Sequence, residues 1–178
     1  MTDARPAFLE LTLKTIVVHT LTYFAVGLAA FTVFNYSAMF ARPELSFMRP
    51  TSDPLVALGP ALQPMRGILF ALAFYPLREI LFGRKNGWLI IWLLLVSLGI
   101  FSTFAAAQGS VEGLIYTKLP LADHFSGGML EVLGQSFLLY AGLYYWVNHP
   151  EKRWLNWVLA ILFVLAVLMS VLGFVMAK

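Results

Sequence analysis

The sequence predicts an all-α protein: a polytopic transmembrane helical bundle of about five spans that forms one domain over residues 1–178. Two observations carry this prediction. The chain is 60% hydrophobic and only 12% charged, with a mean hydropathy of +0.80, which lies far outside the usage of soluble globular proteins. The apolar residues are also grouped into runs close to the length of about 20 residues that a helix needs to cross a bilayer.

The predicted spans are separated by short polar or proline-containing segments. They cover residues 15–41, 61–82, 87–108, 128–147 and 154–177. The first span follows a lead-in of mixed charge that ends at Lys14. A cleaved signal peptide is the competing interpretation, but the apolar run continues well past any cleavage site, and the lead-in contains the acids Asp3 and Glu10.

Two longer segments, residues 42–60 and 109–127, are predicted to be outer loops. The first contains four prolines, which exclude a continuous helix, and enough apolar residues to form an ordered cap at the membrane interface. The fourth span contains Glu131 and Gln135, so its insertion depends on neighbours that satisfy these groups. The fifth span contains no charge, and we expect it to face lipid, a membrane-protein partner or a second copy of the chain.

Basic residues and tryptophans indicate the same orientation. If the amino terminus is cytoplasmic, seven lysines and arginines fall on the inner side and four on the outer side. All five tryptophans then lie near the inner boundary, as in an aromatic belt. The sequence therefore predicts a multi-pass protein of the plasma (inner) membrane, with a cytoplasmic amino terminus and an outer carboxyl terminus.

Six polar residues near the outer ends of four predicted spans form the candidate site. They are Asn35, Gln63, Arg66, Gln108, Glu131 and Gln135. Arg66 and Glu131 each lie about one turn inside a span, at matching depths, which makes them natural ion-pair partners. Gln135 follows Glu131 by four residues and shares its helix face. The cluster is interpreted either as a structural ion pair with amide hydrogen bonds, which we favour, or as the wall of a ligand or proton site.

Pro76 lies inside the second predicted span, where it removes the hydrogen bond to the carbonyl of Leu72 and should kink the helix. Such a kink can act as a hinge or only give the helix its packing shape, and the second interpretation is favoured. The histidines lie at different depths, with His19 in the inner half of the first span as a satisfied core residue. We therefore predict no metal site.

No catalytic motif, phosphate loop or cofactor-binding motif is found, and the scattered basic residues argue against nucleic acid as a partner. The first functional hypothesis is an accessory or binding module whose outward-facing polar cluster receives a ligand or a partner segment. The alternatives are an oligomeric carrier or channel for an anionic or proton-coupled solute, and an intramembrane enzyme acting on a phosphate-bearing lipid. Whether the chain is an enzyme stays open, with the balance against it.

Overall fold

The all-α class is confirmed by the computed structural model, which describes residues 6–177 and contains no strand among them. The α-helices are α1 (Phe8–Val33), α2 (Tyr36–Phe40), α3 (Pro54–Ala57), α4 (Gly59–Phe74), α5 (Arg78–Gly83), α6 (Gly87–Leu94), α7 (Val111–Tyr116), α8 (Leu121–His124), α9 (Gly127–Asn148) and α10 (Arg153–Met176). Short 3-10 helices cover Pro43–Leu45 and Tyr75–Leu77, and a π-helix covers Leu95–Phe101.

Two helices, α1 and α10, are long and apolar enough to cross a membrane. They have 26 and 24 residues, with mean hydropathies of 1.8 and 3.0 over their most apolar stretches. Only 22% and 11% of those stretches are buried inside the structure. Across residues 6–177 the structure thus offers two such helices against the five predicted spans. The second predicted span is interrupted at Pro76, the third leaves α-helical geometry at Leu95, and the fourth carries polar residues.

Helix α1 is the centre of the bundle, because α4, α9 and α10 all pack against it. Its closest approach is to α4 at Gly67, where a Cβ atom would stand 2.7 Å from the Cα of Ile16. Only glycine leaves room for backbones this close, as in the small-residue interfaces of membrane helices. Phe8 of α1 contacts Tyr75 just after α4, with ring centroids 5.1 Å apart, so the two helices run antiparallel.

The apolar core lies towards the end of the bundle where α1 begins. Its buried members are Leu11, Val18, Phe74, Leu81, Phe82, Ile91, Leu139, Tyr140, Leu143, Trp146 and Val147. Lys14 is buried beside this core, where its ammonium donates to Glu10 at 2.7 Å and to the carbonyl of Trp146 at 3.4 Å. Helix α1 begins at Phe8, before the predicted span boundary at residue 15, and these partners satisfy Lys14 inside the helix.

The helices within the first and third predicted spans end before the predicted span boundaries. Helix α1 ends at Val33, because Asn35 adopts the left-handed conformation with φ 48° and breaks the helix before α2. The helix that begins at Gly87 ends at Phe101, seven residues before the predicted boundary at 108. Its last part is a π-helix, a geometry that is rarely sustained and here gives way to irregular backbone.

Pro76 does interrupt the second predicted span. Helix α4 ends at Phe74, the 3-10 helix Tyr75–Leu77 contains the proline, and α5 continues from Arg78. A 3-10 turn at this point follows from the missing backbone N–H and the steric demand of the proline ring. The interruption gives α4 and α5 their separate packing, and a hinge at Pro76 stays a prediction.

Candidate functional site

A buried histidine joins three helices at the middle of the bundle. His19 of α1 is 1% exposed, with Nε2 lying 3.0 Å from Oε1 of Gln63 on α4. Its Nδ1 atom accepts from Nε2 of Gln135 on α9 at 3.2 Å. This pattern suits a neutral imidazole that carries its proton on Nε2. One side chain therefore ties α1 to α4 and to α9 at once.

Gln63 is held for this role by its own helix. Gln63 uses its amide nitrogen to donate to the carbonyl of Gly59, at 3.1 Å, which turns its oxygen towards the imidazole. The ring of Phe70 stands edge-on to His19, with centroids 4.9 Å apart, and covers the imidazole from the α4 side. The imidazole is therefore positioned by hydrogen bonds and by an aromatic wall.

Glu131 lies one helical turn before Gln135 on α9 and has a different partner from the one predicted. Its carboxylate accepts a hydrogen bond from the hydroxyl of Tyr36, at the start of α2. A Cβ atom at Gly27 would lie 3.6 Å from Oε1 of Glu131, so the carboxylate rests against the glycine surface of α1. Glu131 is half-buried, and its charge also acts on the phenol of Tyr23.

Arg66 is exposed and lies on α4, one turn after Gln63. Its guanidinium carbon is 5.6 Å from the ring centroid of Phe70, the residue that covers His19. Among residues 6–177, no carboxylate lies within ion-pairing distance of Arg66, so the predicted pair with Glu131 does not form. Tyr36 takes the place of Arg66 as the partner of Glu131. The two charges of the site are consequently separate.

These residues form one connected site, which we call the polar junction and define by His19, Tyr23, Tyr36, Gln63, Arg66, Glu131 and Gln135. Arg66 interacts electrostatically with both His19 and Tyr23, and Glu131 interacts electrostatically with Tyr23. Towards the core the junction is closed by Phe74 of α4 and Tyr140 of α9, whose ring centroids are 5.6 Å apart. The hydroxyl of Tyr140 is buried and has no hydrogen-bond partner in the part of the chain that is described.

The structure brings four of the six predicted site residues together: Gln63, Arg66, Glu131 and Gln135. Asn35 is exposed and caps α2 instead, accepting from the backbone N–H of Ala38 at 3.4 Å. Gln108 lies beyond the end of the third predicted span and donates to the carbonyl of Asp123 and, at 2.9 Å, to the hydroxyl of Ser126. Because the helices end early, at Val33 and Phe101, both residues lie in connecting segments.

Sequence reasoning missed His19, Tyr23 and Tyr36 as members of the site. His19 is buried and hydrogen-bonded at both ring nitrogens, and it lies at the same height along the bundle as Gln63 and Gln135. This height follows from how α1 packs against α4. Helix α1 begins at Phe8, and Gly59, the first residue of α4, lies beside Tyr23, with 3.5 Å between a Cβ at Gly59 and the Tyr23 hydroxyl. The spacing of His19 and Tyr23, four residues apart, was the available signal.

The segments predicted as outer loops, residues 42–60 and 109–127, are joined by a bidentate ion pair. Both guanidinium nitrogens of Arg42 lie 2.8 Å from the carboxylate oxygens of Asp123. The Arg42 guanidinium beside Asp123 holds the pKa of that carboxyl below its ordinary value. Nearby, the buried His124 accepts from the N–H of Gly109 at 3.1 Å and contacts Thr117, which orders the second segment.

Among residues 6–177, no group of three or more metal-binding side chains converges. The polar junction offers instead one exposed guanidinium, one half-buried carboxylate and several neutral hydrogen-bonding groups. Chemically this set suits the binding of a polar or anionic group rather than the holding of a metal ion. Comparison with protein-family models, with curated proteins and with solved structures finds no match to this chain.

Proposed function

We propose that this chain is a multi-span binding module of the inner membrane whose polar junction receives the anionic head group of an amphipathic ligand. The single observation that carries the proposal is Arg66. It is an exposed guanidinium, has no carboxylate at ion-pairing distance within residues 6–177, and lies beside half-buried hydrogen-bonding groups.

The proposal of membrane insertion is supported by what α1 and α10 expose. On α10, Trp157, Ile161 and Leu172 are 74%, 58% and 57% exposed. Leaving apolar surface in water costs roughly 25 cal/mol per Å², and soluble monomers rarely expose large contiguous apolar patches. Hydrocarbon around these helices removes that cost. The same exposed face of α10 is available to lipid, to another membrane protein or to a second copy of the chain.

Three further spans complete the proposed five. The interrupted helix over residues 59–83 is about 37 Å long at about 1.5 Å per residue, and α9 is about 33 Å long, against a hydrocarbon core of about 30 Å. The helix Gly87–Phe101 is shorter, about 22 Å, and packs against α9. Interrupted and short helices are tolerated in membranes where neighbouring helices satisfy their backbone or the bilayer thins locally.

Contacts at the two ends of the bundle support the proposed orientation. The Arg42–Asp123 pair joins residues 42–60 to residues 109–127, which suits a layout with both segments on the outer side. At the other end, Lys14 contacts Trp146, and the Tyr144 hydroxyl donates to the carbonyl of Arg84 at 2.9 Å. The basic residues and the aromatic side chains that mark a cytoplasmic boundary thus gather at one end.

The ligand class follows from the surroundings of Arg66. A guanidinium binds carboxylate and phosphate oxygens through paired N–H donors, and such charge-assisted bonds strengthen where water is scarce. Glu131 bonds to Tyr36 and lies outside ion-pairing distance of Arg66, so the two side chains form no ion pair. The aromatic side chain of Phe70, which stacks on the buried Phe74, continues from Arg66 towards the core and would contact the first apolar part of an amphipathic ligand.

Binding of dodecyl phosphate, with dodecanol as the uncharged comparison, tests this proposal. The full chain is purified in a non-ionic detergent, and ligand-dependent thermal stabilisation is measured. We expect dodecyl phosphate to stabilise the protein and dodecanol to have little effect. Arg66→Gln should weaken the binding of dodecyl phosphate by about tenfold or more, because a charge-assisted hydrogen bond contributes about 1.5–3 kcal/mol.

Arg78→Gln is the matched control. Arg78 is the first residue of α5, and its guanidinium lies 4.2 Å from the ring centroid of Tyr75, away from the polar junction. This variant should bind dodecyl phosphate as the unaltered chain does. Equal losses in the two variants, or equal stabilisation by dodecyl phosphate and dodecanol, would contradict the proposed site.

A further inference from the structure

A second surface, distinct from the polar junction, combines an apolar groove with a cationic end. The groove lies between α1, α9 and α10 and has a volume of about 650 Å³. Its lining is apolar apart from Thr22 and Tyr145. A cavity of this size is in the range of small-molecule sites, and apolar cavities do not hold water stably.

The groove has the dimensions of a single acyl chain. Along α10 its lining runs from Leu155 to Met169, about 21 Å at the helical rise of about 1.5 Å per residue. One leaflet of a bilayer contributes about 15 Å of hydrocarbon, half of the core thickness of about 30 Å. An acyl chain from one leaflet therefore fits along the groove without leaving its apolar lining.

The cationic end lies where α9 ends and α10 begins. Tyr145 lines the groove, and the ammonium of Lys152 donates to its hydroxyl and lies 4.6 Å from its ring centroid. The imidazole of His149 stacks on the same ring, with centroids 4.1 Å apart. Arg153 follows Lys152 and is exposed, and the exposed acid of this turn is Glu151. Positive charge thus exceeds negative charge at the mouth of the groove.

We propose that this groove holds one acyl chain of an anionic glycerophospholipid, whose phosphate is bound by Lys152 at the mouth. The inference rests on the membrane insertion proposed above but not on ligand binding at Arg66. The apolar lining accepts the chain of any phospholipid, so the preference for an anionic head group comes from the charge at Lys152. A lysine near a membrane surface attracts anionic lipid with about 1 kcal/mol, which is about fivefold in affinity.

Native mass spectrometry of the full chain tests the proposal. The protein in mild detergent is mixed with phosphatidylglycerol or phosphatidylcholine that carry identical acyl chains. Because the polar junction is also proposed to bind anionic amphipathic ligands, the groove is measured in Arg66→Gln, where we expect one tightly retained lipid per chain and a preference of about fivefold for phosphatidylglycerol. Lys152→Gln should abolish the preference, and Lys152→Glu, which places a negative charge at the mouth, should reverse it. Lys85→Glu, the same charge change on an exposed residue away from the groove, should leave it intact.

A second pair of variants tests the groove itself. Ala25 lines it from α1, so Ala25→Phe should displace the chain and abolish retention of both lipids. Ala73→Phe, on an exposed position of α4 outside the lining, should retain lipid normally. The proposal is overturned if no lipid is retained, if Lys152→Glu and Lys85→Glu change the preference equally, or if Ala25→Phe keeps its lipid. Arg66→Gln should retain the lipid, which separates this site from the polar junction.

Discussion

His19 and Gln63 are joined by a hydrogen bond of 3.0 Å between Nε2 and Oε1, and this bond connects α1 to α4 inside the bundle. The other ring nitrogen of His19 is bonded to Gln135 of α9. Three helices thus share one buried imidazole. Because both amide side chains depend on it, the polar junction should respond as a unit to changes at His19.

The first prediction concerns this dependence. His19→Leu leaves the side chains of Gln63 and Gln135 without their shared partner, and we expect the free energy of unfolding to fall by about 1–3 kcal/mol. Adding Gln63→Leu and Gln135→Leu removes the unsatisfied groups and should recover most of that loss. Reversible unfolding in mixed detergent micelles measures both changes. A combined variant less stable than His19→Leu alone would show that the glutamines stabilise the bundle independently of His19.

The second prediction compares two glycines. At Gly67 an added Cβ would meet the backbone of Ile16 at 2.7 Å, so Gly67→Ala should push α1 and α4 apart and cost about 1–3 kcal/mol. At Gly134 an added Cβ meets nothing within 4 Å, so Gly134→Ala should stabilise α9 by about 0.5–1 kcal/mol. Unfolding of the two variants under the same conditions gives the comparison. A Gly67→Ala variant that is as stable as the unaltered chain, or more stable, would contradict the close packing of α1 on α4.

The third prediction is a pH dependence at the Arg42–Asp123 pair. Arg42 lowers the pKa of Asp123 below its ordinary value of 3.8. A lowered carboxyl pKa contributes stability that is complete above the ordinary pKa and is lost as the pH falls through the lowered one. The difference in melting temperature between the unaltered chain and Asp123→Asn should therefore be constant from neutral pH to about pH 5 and disappear well below pH 4.

Asp53→Asn serves as the control for this pH series. Its carboxylate pairs with Arg49 within the same segment, four residues away, so it does not join residues 42–60 to residues 109–127. We expect a smaller change in melting temperature at neutral pH than with Asp123→Asn. A difference at Asp123 that persists unchanged to low pH would mean that the ion pair does not couple the segments.

The fourth prediction concerns the proposed topology. The chain contains no cysteine, so single cysteines can be labelled without removing others. Ser52→Cys and Lys118→Cys, at exposed positions of the two proposed outer segments, should react with a membrane-impermeant maleimide on intact cells. Asn86→Cys, exposed in the turn before α6, should react only after lysis.

A reporter fused after residue 178 checks the same topology independently, because five spans place the carboxyl terminus opposite the amino terminus. It should be active on the outer side. Labelling of Asn86→Cys in intact cells, or a cytoplasmic fusion reporter, would contradict the five-span layout.

Much of the secondary structure follows from local sequence. Apolar runs without proline predicted helices close to α1 and α10, and Pro76 marked the interruption between α4 and α5. Helix ends were predicted less well, because the buried charge of Lys14 and the left-handed conformation of Asn35 depend on partners and backbone geometry that hydropathy does not record. The observed helix ends leave Asn35 and Gln108 in connecting segments, away from Gln63, Arg66, Glu131 and Gln135.

By itself the sequence determined that the chain is helical, that α1 and α10 can cross a membrane, and that Gln63, Arg66, Glu131 and Gln135 are polar residues in apolar surroundings. Helical periodicity and composition are sufficient for such conclusions, since both are local. Only the tertiary structure decided which of these side chains bond to each other. His19 bonds to both glutamines, and Glu131 bonds to Tyr36 rather than to Arg66. The height of one helix relative to its neighbour depends on contacts between the two, such as the contact of Gly67 with Ile16. The sequence of a single span therefore cannot specify that height.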